Sequence, residues 1–341
     1  MLLEEAVLFL LRRSGYVTVE SHVGDPTLRP HQAGIAVVGR GAIHQIDAIA
    51  DYLIGQPFSH PQRLLVEAKF HNSGSISLTT IRNAVGVLKD VSEFWSTVDS
   101  LPATHRRYHY QKAVFSATPF SPAAESYAFA HDIYLFPMAS SAFARPIVEA
   151  IKAVSGRSLV GGGRKHIPIE LTRLRRAVRE SLRAGELTPE LGTFMRRNAT
   201  EWPVFIREVI GVGSILVGMI ARSFPVFLVP AGRNVIDNLE DRIRVEIKLR
   251  RGRWFIRRPG GPDLFSFDLP PVLFTLYGDT GILGREQAAA LKQDWMTDFQ
   301  ALIAADGQLR VVQFDLDPVW LDRLREDVRR KVPEGELLAA E

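Results

Sequence analysis

The sequence predicts an α/β protein in which a mixed sheet flanked by helices is followed by a second, α+β domain. Three observations lead there. Helical and strand periodicities succeed one another through the first 155 residues in the order α-β-β-β-α-β-α-β. Charge shifts along the chain, with 13 basic and 13 acidic residues in 1–155 against 29 and 25 in 156–341. Between these halves lies Ser155-Gly-Arg-Ser-Leu-Val-Gly161-Gly-Gly-Arg164, whose glycine cluster has the composition of a linker. The expected domains are therefore 1–155 and 156–341, and 341 residues with 46% hydrophobic content can fill both.

Residues 3–13 have helical spacing and stop before Gly15, leading into a strand over 16–20. Residues 43–53 mix alternation with β-branched side chains and read as the next strand. The third, 63–70, is an apolar run carrying a carboxylate and an amine two residues apart. Leu78, Ile81, Val85, Leu88 and Trp95 recur at helical spacing, with Ser77 or Thr79 as the cap. A β-α-β unit follows: a strand over 113–117, a helix opened by Ser121-Pro122, and a strand over 133–136. In the second half, 169–183 reads as a basic helix, 227–229 and 244–258 as strands, the latter around an Arg-Arg-Gly-Arg turn, and 318–330 as a final helix.

Composition removes several classes of function. The absence of cysteine excludes disulfide scaffolds, thiolate metal sites and cysteine nucleophiles. A net charge of +4 excludes a globally basic coat. The N-terminal stretch has acids before its apolar run and arginines after it, the reverse of a secretory signal. The most apolar run, 209–221, is too short for a membrane span. A soluble protein of the cytoplasm is expected, with no membrane partner.

Glu67-Ala68-Lys69 carries the sharpest chemical signal. Strand geometry puts both polar side chains on one face, within reach of a common site. Asp47 stands twenty residues earlier, in Gly39-Arg-Gly-Ala-Ile-His-Gln-Ile-Asp47, also near a strand. A magnesium-dependent phosphodiesterase needs this set: two carboxylates for a hard cation and an ammonium that stabilises phosphate or positions the attacking water. An acid-x-Lys triplet is not specific alone, since composition predicts about one by chance and a second, Glu246-Ile-Lys248, occurs here. The surroundings separate the two. Glu246 lies among arginines, whereas Glu67 follows Leu64-Leu65-Val66, where an uncompensated charge is costly.

With these pieces in place, residues 1 to about 137 resemble the restriction-endonuclease-like, or PD-(D/E)XK, nuclease superfamily, most closely its Mrr-like branch. The matching pieces are the opening helix from Glu5 to Tyr16, the segment ending in Ile46-Asp47, Val66-Glu67-Ala-Lys69, and the unit from Val114-Phe-Ser-Ala-Thr-Pro-Phe120 to Tyr134. The resemblance implies a restriction-endonuclease-like fold, Asp47 and Glu67 as ligands of Mg2+ (or Mn2+), Lys69 as the catalytic lysine, and Glu5 as a supporting glutamate. This chain has Ile46-Asp47 in place of Pro-Asp, and Glu67 where Mrr-like members often carry glutamine. Gln45 should share the face of Asp47 and contact metal-bound water or phosphate, with His44 on the structural side.

The expected activity is metal-dependent DNA endonuclease, in restriction or defence, and nucleases of this fold commonly act as homodimers. Two basic segments are candidates for holding DNA: 157–197, with ten basic and four acidic residues, and 244–258, with seven and one. Arg250, Arg251 and Arg253, together with Arg82 in the helix after the Glu67 strand, are the expected nucleic-acid contacts. A helix zinc pair at His105 and His109 lacks a third ligand, and Gly161-Gly-Gly163-Arg-Lys165 lacks the spacing of a phosphate loop. The alternatives are a non-catalytic nucleic-acid-binding protein on a nuclease scaffold, and a nuclease gated by a ligand or partner of the second half.

Overall fold

The computed structural model describes residues 1–31, 34–52, 58–71, 73–93, 108–155, 158–160, 170–212, 216–220, 224–232, 234–269, 296–305 and 308–331. The chain is α/β, with mixed sheets flanked by helices. It divides into two compact units, Met1–Gly213 and Ser214–Glu341. The expected boundary near 155 is therefore corrected. His105 and the 161–165 glycine segment lie outside the described residues.

In the first unit, α1 (Leu2–Arg13) is followed by β1 (Tyr16–Thr18), then by β2 (Leu28–His31), β3 (Gly34–Val38) and β4 (Ile43–Ile46). Next come β5 (Ala48–Tyr52), β6 (Gln62–Lys69), α2 (Leu78–Ser92), β7 (His109–Ser116), α3 (Pro122–Ala130) and β8 (Ile133–Pro137). The main sheet has the order β1-β5-β6-β7-β8, antiparallel from β1 to β6 and parallel from β6 to β8. The two parallel pairings require crossovers, and α2 and α3 supply them. Ser121 caps α3 by accepting from the Ala124 N–H, with Pro122 in the first turn, as its sequence signature requires.

The single strand expected over 43–53 is two strands in two sheets. β4 pairs with β3, and β3 with β2, in a separate three-stranded sheet, whereas β5 belongs to the main sheet. The chain changes sheets at Asp47. Because the break lies in pairing partners, the local alternation of residues 43–53 carried no sign of it.

The first unit continues with α4 (Arg145–Ala153), α5 (Leu171–Ala184), α6 (Pro189–Phe194) and α7 (Glu201–Gly211). Leu174, Ala177, Val178 and Leu182 of α5, and Trp202, Phe205, Ile206 and Val209 of α7, are buried. These apolar stripes are why the unit extends past 155: α5 lies against α1, and α7 against α4.

The second unit is a closed barrel rather than the expected α+β domain. Its strands are β9 (Leu216–Ile220), β10 (Phe224–Pro230), β11 (Arg242–Arg250), β12 (Arg253–Arg257), β13 (Asp263–Phe267), β14 (Phe299–Ala305) and β15 (Gln308–Leu316). They close in the order β10-β13-β12-β11-β15-β14-β9. α8 (Asn234–Asp237) and α9 (Pro318–Lys331) accompany them. Aromatic rings fill the interior, with Phe299 meeting Phe267 at 5.5 Å and Phe314 at 5.6 Å, edge-on. A side chain at Gly218 would press on the Phe299 ring, so glycine there admits the ring. The apolar run 209–221 is split between α7 and β9, and among the described residues no helix is long and apolar enough to cross a membrane.

Candidate active site

The site is built where β5 begins, against the end of β6. Ala48 pairs with Val66, so one further antiparallel step sets Asp47 opposite Glu67 on the same face of the sheet. A second step would set Ile46 opposite Ala68, but Ile46 has left to pair with Ile35. The Asp47 carboxylate takes up the vacancy: its Oδ2 accepts the Ala68 N–H at 2.8 Å. One carboxylate oxygen is thus fixed by the backbone of the Glu67-Ala68-Lys69 strand itself.

Lys69 Nζ lies 2.6 Å from Glu67 Oε1, and Lys112 Nζ, from β7, lies 3.6 Å from Glu67 Oε2. In the parallel pairing Lys112 is the register partner of Leu65 and Glu67 that of Val114, which puts Lys112 on the face of the two acids. Burial, the largest cause, raises the Asp47 carboxyl above the ordinary carboxylate range, and Glu4 and Glu67 add to it against the Ala68 N–H and Lys69. Burial likewise lowers the Lys112 ammonium, opposed by Glu67 and Asp47. Asp47, Glu67 and Lys69, the residues expected from the sequence, therefore form one electrostatically coupled cluster.

Lys112 was missed by the sequence reading. It stands immediately ahead of the 113–117 run, in the phase of Val114. A strand begun a few residues earlier, at His109 as observed, would have placed it inside.

Glu5 is not part of the cluster. Its side chain is fully buried and accepts from Arg179 Nε at 2.8 Å and Arg175 Nε at 3.2 Å, both on α5. Consecutive residues of a helix point about 100° apart, and it is Glu4 whose charge is felt by Asp47. Glu4 is itself held by Arg175 Nη2 at 2.7 Å. Gln45 is also placed elsewhere. It is exposed on β4 opposite Ala36 and makes no hydrogen bond to the acids, because the bend at Asp47 interrupts the alternation that would have aligned them. His44 is structural as expected: its Nε2 lies 2.7 Å from Asp90 Oδ2, and Asp90 also accepts the N–H groups of Gly41 and Ala42. A side chain at Gly39 would overlap that carboxylate.

A cleft of about 510 Å3 opens beside Asp47. One wall is β3 to β5, and the other is α5, which presents Arg175, Arg176, Arg179 and Arg183. Glu20 at the cleft accepts from Arg183, forms an ion pair with Arg12 and lies 3.6 Å from Arg179. Burial, with Arg183 and Arg179 nearby, lowers Arg12 to about 10. The basic helix is thus both paired with acids and a lining of the cleft.

Of the arginines expected to contact nucleic acid, Arg82 belongs to the first unit and Arg250, Arg251 and Arg253 to the β11–β12 hairpin of the second. Arg82 is exposed on α2, 5.7 Å from the Tyr127 ring. Arg250 stacks on Phe255 at 4.2 Å and pairs with Asp263. Arg251 forms the β11–β12 turn at φ 51°, and Arg253 is half-buried on β12. Arg257 and Lys248 meet Glu246, and Arg258 meets Glu240, so much of this segment's excess charge is met by acids.

No family model matches the chain, and no curated protein matches it. A crystal structure titled "Protein of Unknown Function AF1548" is 22% identical over 62% of this chain and 97% of its own, with a TM-score of 0.36.

Proposed function

We propose that the first unit is a metal-dependent phosphodiester hydrolase of the restriction-endonuclease-like, Mrr-like kind, cutting DNA in a restriction or defence role. The observation that carries this reading is the convergence of Asp47, Glu67 and Lys69 on one sheet face, with Asp47 lining an arginine-walled cleft. Their order on the chain, the mixed sheet and its helical crossovers support it.

The donor set fits Mg2+ or Mn2+. Among the described residues no group of three or more acids and histidines gathers as a metal cage. Mg2+ does not need one, since it is commonly bound by one or two carboxylates with water and substrate phosphate completing the shell. Asp47 and Glu67 would hold it, and when bound it supplies positive charge against the phosphodiester and its transition state. The chain's own groups do the rest. The Ala68 N–H fixes Asp47, and Lys69, one-third exposed, carries its ammonium to the scissile phosphate. Arg176 and Arg183, the more exposed arginines of the cleft, contact flanking phosphates by exchanging surface ion pairs that are individually weak.

Plasmid nicking with and without Mg2+ tests this. Asp47→Ala and Lys69→Ala proteins, folded by circular dichroism, should each lose roughly 100-fold or more in rate, and chelation should abolish cleavage. Folded variants that cut as fast as the wild type would overturn the assignment.

A further inference from the structure

Lys112 is 2% exposed on an interior strand, between the positions of Tyr110 and Val114 on the same face. A lysine so placed is costly unless its charge is compensated, and a methionine would fill the same space without that cost. Its anionic partner is Glu67, at 3.6 Å, wider than the 2.6 Å contact of Lys69 to the same carboxylate. Asp47 lies near enough to act on it as well. Two lysines thus serve one carboxylate, and they differ in access: Lys69 is 33% exposed and free to reach a ligand, while Lys112 is sealed in the sheet.

Building on the metal-dependent reading above, we propose that Lys112 is the internal counter-ion of the Asp47–Glu67 pair. It stands in for a divalent cation when none is bound and competes with that cation for the two acids. Lys69 is then the lysine that serves substrate, and Lys112 a positioning residue that keeps two neighbouring carboxylates tolerable in the metal-free fold. Its presence weakens the site's hold on a free cation, because one fixed positive charge opposes another at short range in a poorly screened environment.

Calorimetric titration of the full chain with MnCl2, paired with thermal unfolding in the same buffers, tests the proposal. Lys112→Met should bind Mn2+ roughly tenfold more tightly than the wild type and show a larger Mn2+-induced rise in Tm. Lys112→Arg should restore the wild-type affinity, and Asp47→Asn should abolish the titration in either background. Should the methionine variant not fold without metal, Lys112→Gln carries the same comparison. Wild-type binding left unchanged or weakened by loss of the charge would overturn this role for Lys112 alone. No Mn2+ binding by the wild type or by the variant would overturn both this role and the metal-dependent reading.

Discussion

Arg63 shows how a single buried charge is made acceptable. It is 2% exposed in β6, with its Nε 2.7 Å from Asp51 Oδ1, its Nη1 2.7 Å from Asp25 Oδ2, and its guanidinium 3.6 Å from the Tyr108 ring centre. Arg63→Met strands two acids and should cost roughly 3–5 kcal/mol in urea unfolding. Burial alone would raise the Asp25 carboxyl, but hydrogen bonds from Thr27 and Arg63, with the arginine's charge, hold it below its ordinary 3.8. A carboxyl depressed by folding contributes stability that is present above the unfolded value and lost as pH falls through the folded one. Unfolding midpoints of the wild type should therefore drop below about pH 4, and this component of the drop should shrink in Arg63→Met, which keeps the Thr27 hydrogen bonds to Asp25 and loses those of the arginine. The same strand explains what could be read at this scale. Glu67 and Lys69 stand out because they interrupt an apolar run, and Asp47 because it precedes one. Lys112 and Glu4 do not, because what marks them is a neighbour across the sheet or around a helix.

At the level of elements, α5 was legible as a basic helix over 169–183 and forms over Leu171–Ala184, ending at Gly185 with φ +78°. Its partner was not legible. Arg175 and Arg179 meet Glu5, about 170 positions away, and no local pattern encodes such a pairing. Removing the Glu5 charge should loosen α5 rather than disable chemistry directly. Glu5→Gln should cost roughly 3 kcal/mol, and amide hydrogen exchange should accelerate across 171–184 while β6 and β7 stay protected. Acceleration spread evenly over the unit, or none, would contradict this account of how α5 is held. The β4–β5 break belongs to the same lesson, since alternation gives strand faces and pairing decides which sheet they join.

For the whole molecule, the charge shift near 155 misplaced the boundary because charge describes surfaces, while units are defined by cores. The core of the first unit includes Leu174, Val178, Trp202 and Phe205, all beyond that point. A 1–213 fragment should give one cooperative transition by scanning calorimetry, and a 1–155 fragment, cut through this core, should give none. A cooperative transition for 1–155 would show that α5 to α7 are accessory. The barrel has its own implication for synthesis. β11 and β15 are its parallel pair, joining Arg242 to Gln313, and β9 pairs with β14, joining Ile220 to Phe299. Such distant closures are slow, and neither can be made until β14 and β15 have left the ribosome. A growing chain would therefore hold a finished first unit while the early barrel strands wait with their edges unpaired, the interval in which a chaperone would find most to bind.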